Sequence, residues 1–134
     1  MSTDKKIEIL KGRERDIMLV FWDMGISLLA SDIIKIDRKL SINTVQANLR
    51  KLMGKGFIEV ENIVYSGTVL SRKYKPCISK EEYIEREISN YFKELDISSA
   101  EVVLALIEKE GNEKKVINEL EALLAQRKKV LKGE

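Results

Sequence analysis

Five side chains able to read a nucleic acid recur at helical spacing in the middle of the chain. Amides pair with adenine, methyl groups contact thymine, and guanidinium or ammonium groups bind guanine or phosphate. At about 100° per residue, these positions fall on one stripe of a helix. They are Asn43, Thr44, Ala47, Arg50 and Lys51. Their types and spacing favour recognition of base edges and phosphates.

The opposite stripe of the same segment is apolar, as in a helix that covers a core. It consists of Ile42, Val45, Leu49, Leu52 and Met53. Ser41 can cap the start of the helix, and Gly54 or Gly56 can supply the left-handed residue that ends it. Residues 41–55 include three cations and no acid, whereas a solvated face normally mixes charges of both signs. This bias favours an anionic partner over a plain surface helix.

Two strand patterns follow this helix and predict a β-hairpin, which we call the wing. Residues 57–61 alternate apolar and acidic side chains, which is typical of a half-buried strand. Residues 66–68 predict a turn, and residues 69–75 a cationic return strand that ends at Pro76. Such a hairpin can touch a phosphate backbone or enter a minor groove. A hairpin that only closes a small core is the alternative.

Two more helices are predicted upstream, over residues 13–24 and 30–40. The first has an apolar stripe closed by Gly25, and its Trp22 is expected to pack against neighbouring elements. The stripe comprises Ile17, Val20, Phe21 and Met24; the second helix carries Ile33, Ile34 and Ile36. Three helices followed by two strands is the order of a winged helix-turn-helix, whose third helix enters the major groove.

We therefore expect a mainly α (α+β) protein in which residues 1–76 form a winged helix-turn-helix DNA-binding domain. Phosphate contacts would supply most of the affinity and base contacts the selectivity. The expected DNA-binding residues are Ser41, Asn43, Thr44, Gln46, Ala47, Arg50, Lys51, Lys55, Ser66, Thr68, Arg72 and Lys73.

The net charge of +2 divides unevenly, since residues 1–76 carry 14 Lys and Arg against nine Asp and Glu, and residues 77–134 carry 10 against 13. The sequence of residues 77–134 predicts three helices. Two of them begin at capping boxes, Ser79 with Glu82 and Ser98 with Glu101. Between Ser98 and Glu110, the run of residues 102–107 is apolar on every side of its helix, more than one neighbouring element can cover, which favours a subunit interface.

We expect residues 77–134 to form a C-terminal helical dimerization region, so that a homodimer meets two half-sites of a pseudo-palindromic operator. Packing of these helices within one monomer is the alternative. The expected interface residues are Ile84, Ile88, Tyr91, Leu95, Val103, Leu106, Ile107, Ile117, Leu120 and Leu124.

Several short motifs in this order resemble the penicillinase repressors of the BlaI/MecI/CopY type, which are dimeric winged-helix repressors of bacteria. The motifs are Val20-Phe21-Trp22, Ser41 with Thr44-Val45, residues 49–52, Lys55-Gly56-Phe57-Ile58, Tyr74-Lys75-Pro76 and residues 79–83. The resemblance implies a sequence-specific DNA-binding transcriptional regulator, a repressor. A ligand-sensing winged-helix regulator and a winged-helix protein-interaction adaptor are the alternatives.

The chain departs from that family at positions that bear on its DNA target and its release. Asn43 and Ala47 stand where Lys and Thr are common, so the operator is expected to differ. The wing lacks the usual Gly-Arg before its return strand, and residues 56–76 are several residues longer. The Asn-Phe bond that an inducing protease cuts aligns with Ala105-Leu106, so a different cut site, a ligand between the helices, or no inducer stays open.

Composition argues against several other classes of protein. Without histidine and with one cysteine, Cys77, a metal site of nitrogen and sulfur ligands, a His-based triad and an intramolecular disulfide are not feasible. We expect no cofactor and no enzymatic activity, and we interpret Glu81, Glu82, Glu85 and Glu87 as a solvated face. The polar start and the lack of long apolar runs predict a cytoplasmic protein without membrane insertion.

Overall fold

The computed structural model describes residues 10–133. In chain order its elements are α1 (Gly12–Met24), β1 (Leu28–Leu29), α2 (Ala30–Ile36), α3 (Ile42–Gly54), β2 (Ile58–Ser66), β3 (Val69–Pro76), α4 (Lys80–Leu95), α5 (Ser99–Lys109) and α6 (Glu113–Leu131). This confirms the mainly α class, a winged-helix domain followed by helices. The chain divides into two units, Met1–Ile88 and Ser89–Glu134. The expected domain boundary after Pro76 stays a prediction.

The first helix packs its apolar stripe into the core of the first unit. Ile17, Met18 and Phe21 are fully buried. The prediction that Met24 belongs to this stripe is wrong, because Met24 lies at the last position of α1 and is 44% exposed. Gly25 follows with a φ of +67°, and its N–H donates to the Phe21 carbonyl at 3.0 Å. This left-handed glycine ends the helix as the sequence predicts.

The second helix ends at Ile36, four residues before the predicted end at Leu40. The Asp37 carboxylate accepts a hydrogen bond from the Lys39 backbone N–H at 3.1 Å, a local turn that competes with a further helical turn. Leu40 still reaches the core and is 3% exposed. Ile36, one of the apolar residues of this helix, is its last residue and is exposed.

The sheet has the strand order β1-β3-β2 and is antiparallel throughout. The sequence pattern missed β1, since two residues carry no periodicity. The predicted turn is confirmed: Ser66 pairs with Val69, and Gly67, with a φ of +66°, and Thr68 form the loop. The wing is longer than predicted, because β2 continues to Ser66 beyond the predicted end at Glu61.

The start of α4 is fixed to the first unit by aromatic side chains. The Ser79 hydroxyl accepts from the Glu82 N–H at 3.0 Å, which confirms this helix start. Trp22 donates from its indole nitrogen to the Ile78 carbonyl at 2.9 Å, so its predicted packing is confirmed. Tyr83 is buried with its ring centroid 5.4 Å from that of Trp22. Sequence analysis did not identify this tyrosine as core.

The second unit contains the helical pair α5 and α6. Ser98 caps α5 by accepting from the Glu101 N–H at 3.4 Å, again at the predicted position. Ile107 is buried at 7% exposure, whereas Leu104 and Leu106 next to it are more than half exposed. Among the helices of the described part of the chain, none is both long and apolar enough to traverse a bilayer.

Candidate nucleic-acid interface

The third helix begins and ends at the residues that its sequence predicts. The Ser41 hydroxyl accepts from the Thr44 N–H at 3.2 Å and donates to the Thr44 hydroxyl at 2.9 Å. These bonds satisfy a backbone donor of the first turn. Gly54 is the last helical residue, and Gly56, with a φ of +81°, supplies the left-handed conformation.

The two stripes of α3 separate into a buried and a solvent face. Val45, Leu49 and Leu52 are at most 1% exposed, so the predicted core stripe is confirmed at these positions. The prediction that Ile42 belongs to this core stripe is wrong, since Ile42 lies in the first turn and is 41% exposed. The solvent face displays the predicted polar and cationic residues. They are Asn43, Gln46, Ala47, Arg50 and Lys51, with Thr44 half-buried beside them.

Cations at the end of α3 differ in what they contact. Within residues 10–133, Arg50 and Lys51 make no ion pair. Lys55 pairs with Glu14 of α1, with its Nζ 2.8 Å from one carboxylate oxygen and 3.2 Å from the other. A DNA contact by Lys55 stays a prediction. Such a contact would have to compete with this ion pair. For Arg50 and Lys51, the described part of the chain contains no such competing carboxylate.

The wing residues that are predicted to bind DNA lie at different distances from the tip of the hairpin. Ser66 and Thr68 lie at the tip, next to or within the two-residue loop. Arg72 is exposed and Lys73 is half-buried on the return strand. Lys75, nearer the core, pairs with Glu59 across the strands at 3.3 Å. The cations available for an anion are therefore those in the outer part of β3.

A groove of about 560 Å³ lies between α3 and the wing. Its lining includes two arginines, Arg50 and Arg72, and none of the described residues that line it is acidic. The helix contributes Ile42, Gln46, Leu49 and Arg50, the wing Ser66, Val69, Leu70, Ser71 and Arg72, and the remaining residues are Leu29, Ala30, Ser31 and Tyr74. Four residues predicted from sequence are thus brought together: Gln46, Arg50, Ser66 and Arg72.

Sequence reasoning missed the apolar part of this groove. Ile42 had been assigned to the core, and Val69 and Leu70 to an ordinary strand. The run of apolar residues beside a predicted turn was a usable signal, because hairpin tips are normally polar. The structure leaves Val69 and Leu70 64% and 60% exposed.

Cys77 lies where β3 leads into α4 and is exposed. Desolvation raises the pKa of its thiol, as do a hydrogen bond to the Glu59 carboxylate and the charge of that carboxylate, against the opposing effect of Lys75. A raised pKa leaves less thiolate, the reactive form. No group of three or more Cys, Asp or Glu residues within 10–133 is arranged to hold a metal ion.

The second unit exposes most of the side chains predicted to form a subunit interface. Val103, Leu106 and Leu124 are 39%, 56% and 51% exposed, whereas Ile107 is buried inside its own chain. Residues of both helices line a groove of about 540 Å³, namely Ser99, Ala100, Val103, Leu104, Ile107, Ile117, Leu120, Glu121 and Leu124. Leu104 and Leu123, which were not predicted, are 53% and 62% exposed.

Comparison with known proteins adds one result. A family model described as "Penicillinase repressor" matches residues 11–126, which include α1 to α5 and most of α6. No curated protein matches the chain.

Proposed function

The chain belongs to the penicillinase repressor family, whose members are DNA-binding transcriptional repressors, and from this premise we propose that it binds a specific pseudo-palindromic operator as a homodimer. The observation that carries the proposal is the solvent face of α3. This face is polar and cationic, lacks acids, and borders a groove lined by Arg50 and Arg72, neither of which forms an ion pair with another residue of the described range 10–133.

The proposed roles on α3 follow from side-chain chemistry. Asn43 pairs with adenine, and the methyl groups of Thr44 and Ala47 contact thymine. Arg50 and Lys51 bind guanine or phosphate. The Ser41 cap supports this reading, because its bonds to Thr44 hold the first turn of the helix in one conformation.

The homodimer is supported by apolar surface in the second unit. Leu104, Leu106, Leu123 and Leu124 are all more than half exposed in one chain. Two of them, Leu104 and Leu124, line the apolar groove between α5 and α6, and monomeric proteins rarely leave large apolar patches in water. A second copy covers this surface and presents a second α3, and a twofold protein requires a twofold operator.

Selection of binding sites from random duplexes, followed by affinity measurements across salt concentrations, tests the operator. We expect an enriched site with two related half-sites, and a salt slope of about −0.9 per phosphate contact. Enrichment of no motif, or of a single half-site, would contradict the proposal.

Sedimentation equilibrium tests the dimer, with an expected mass of about 31 kDa, twice the 15.4 kDa of one chain. Leu106→Arg introduces a charge into the proposed interface and shifts the mass toward the monomer. Glu108→Arg is the matched control, because it adds a cation at an exposed position of the same helix. A wild-type monomer at micromolar concentration would refute the assembly.

A ligand-sensing regulator is the second candidate, favoured by the groove of about 540 Å³ between α5 and α6. The two candidates differ in what fills that groove. A small apolar molecule that loosens the DNA complex would favour sensing, whereas self-association without ligand favours the dimer.

A further inference from the structure

One face of the wing continues the core side of the sheet into solvent. Alternate residues of a strand share a face, so Leu70 and Arg72 lie on the face of β3 that carries buried Tyr74. Their partners across the hairpin are Tyr65 for Leu70 and Ile63 for Arg72. We call Ile63, Tyr65, Leu70 and Arg72 the wing face.

The apolar members of the wing face are open to solvent. Tyr65 is 72% exposed, Ile63 61% and Leu70 60%. Tyr74 and Val60 are the last residues of these strands that contribute to the core. The three exposed side chains therefore form a contiguous apolar patch, which soluble proteins usually keep for a binding partner.

A β-bulge produces this arrangement. Val60 pairs with Tyr74 and Asn62 with Lys73, so Glu61 is the extra residue. In an uninterrupted strand Asn62, not Ile63, would oppose Arg72. A shift by one residue moves every later side chain to the other face. The bulge thus places Ile63 and Tyr65 on the face that carries Arg72.

Charge and position identify the occupant of the wing face. Leu70 and Arg72 also line the groove beside α3, together with Arg50, and among residues 10–133 no acidic side chain lines it. Within the described residues Arg72 makes no ion pair. An apolar protein partner would leave both guanidinium groups without a counter-charge. Duplex DNA offers phosphates beside apolar sugar and base surfaces.

We propose that the wing binds in the minor groove through apolar contacts, in which Leu70 and Tyr65 pack against sugars and base edges while Arg72 binds a phosphate. Apolar side chains in a minor groove widen it and partly unstack a base step, which bends the duplex. This inference rests on the proposed function and adds the mode of contact and its expected effect on DNA shape.

The two kinds of contact differ in their salt dependence. A phosphate contact releases counterions and contributes about −0.9 to the slope of log affinity against log salt. An apolar contact releases none. Leu70→Ser should therefore lower affinity about tenfold at every salt concentration with an unchanged slope. Arg72→Ala should lower affinity and make the slope shallower by about 0.9.

The experiment measures fluorescence anisotropy on the selected operator from 50 to roughly 200 mM KCl, together with the bend angle by gel mobility of permuted fragments. Val64→Ser is the matched control, because Val64 lies on the opposite face of the same hairpin, across from Ser71. We expect the control to keep wild-type affinity, slope and bend. Urea unfolding of each variant verifies that the fold is intact.

Wild-type affinity and bend in Leu70→Ser, or an equal loss in Val64→Ser, overturns the inference while leaving operator binding in place. A change of molar mass in DNA-free Leu70→Ser also overturns it, because the wing face would then cover a second copy. If the wild-type protein binds no operator, the proposed function itself fails.

Discussion

Replacing Arg50 of α3 and Lys55, the residue that follows this helix, in separate variants tests which cation acts on DNA and which stabilises the fold. Arg50 is exposed and forms no ion pair with any residue that the structure describes, whereas Lys55 binds Glu14 through two contacts. If Arg50 contacts the operator, Arg50→Ala should cost about 1 to 3 kcal/mol of binding, or about 5- to 150-fold in affinity. The stability of that variant should stay within about 0.5 kcal/mol of the wild type.

The opposite result is expected for Lys55→Ala. The side chain of Lys55 is 33% exposed and that of Glu14 16%, so solvent screens part of their attraction. The free energy of unfolding should therefore fall by about 0.2 to 1 kcal/mol. The affinity for DNA should change less than in Arg50→Ala, because the Lys55 ammonium already has a counter-charge.

Anisotropy titrations with the selected operator give the affinities, and urea unfolding gives the stabilities. Arg50→Ala should also make the salt slope shallower by about 0.9 if the guanidinium binds phosphate, and leave it unchanged if it binds only a base. Equal affinity losses in the two variants, or none in Arg50→Ala, would refute this reasoning.

The remaining predictions concern buried and reactive groups. Tyr83→Phe removes the hydroxyl that accepts from the buried Leu10 N–H at 2.9 Å, so the free energy of unfolding should fall by about 1 to 3 kcal/mol in urea. Tyr65→Phe, at an exposed tyrosine, is its control. Equal urea midpoints of the two variants would contradict the role of the hydrogen bond from Leu10 to Tyr83. Since Glu59 raises the pKa of Cys77, Glu59→Gln should lower that pKa and accelerate alkylation by iodoacetamide at neutral pH. An unchanged rate would exclude this influence of Glu59.

Features determined by neighbouring residues were predictable from the sequence. The Ser41 cap, the Gly25 end and the buried positions Val45, Leu49 and Leu52 each depend on spacing within one helix. Capping and helical periodicity are local effects, so they hold in most folds that contain the segment. The solvent face of α3 was predictable for the same reason, because it is the complement of the buried stripe.

Features that depend on distant partners were not predictable. Leu28 and Leu29 form a strand because β3 lies beside them, although their partners Tyr74 and Lys73 come more than 40 residues later in the chain. The pairing of Lys55 with Glu14 joins positions 41 residues apart. The bulge at Glu61 requires the register of both strands of the hairpin. No periodicity within a single segment contains this information.

The burial of Tyr83 was missed because the acidic residues around it suggested a fully solvated helix start. Its side chain instead fills the space beside Trp22 and Phe57, with ring centroids 5.4 and 5.9 Å away. A single aromatic residue among charged neighbours is a weak signal in a helical pattern. The structure identifies it as the residue that attaches α4 to the winged domain.

Trp22, whose indole is hydrogen-bonded, can serve as an intrinsic fluorescent probe of the molecule. The chain has one tryptophan, so tryptophan fluorescence originates from a single place, where the indole N–H donates to the Ile78 carbonyl and the ring contacts Tyr83. Detachment of the first turn of α4 would expose this fluorophore to water and shift its emission to the red. Spectroscopists can therefore follow this junction in titrations without attaching a dye.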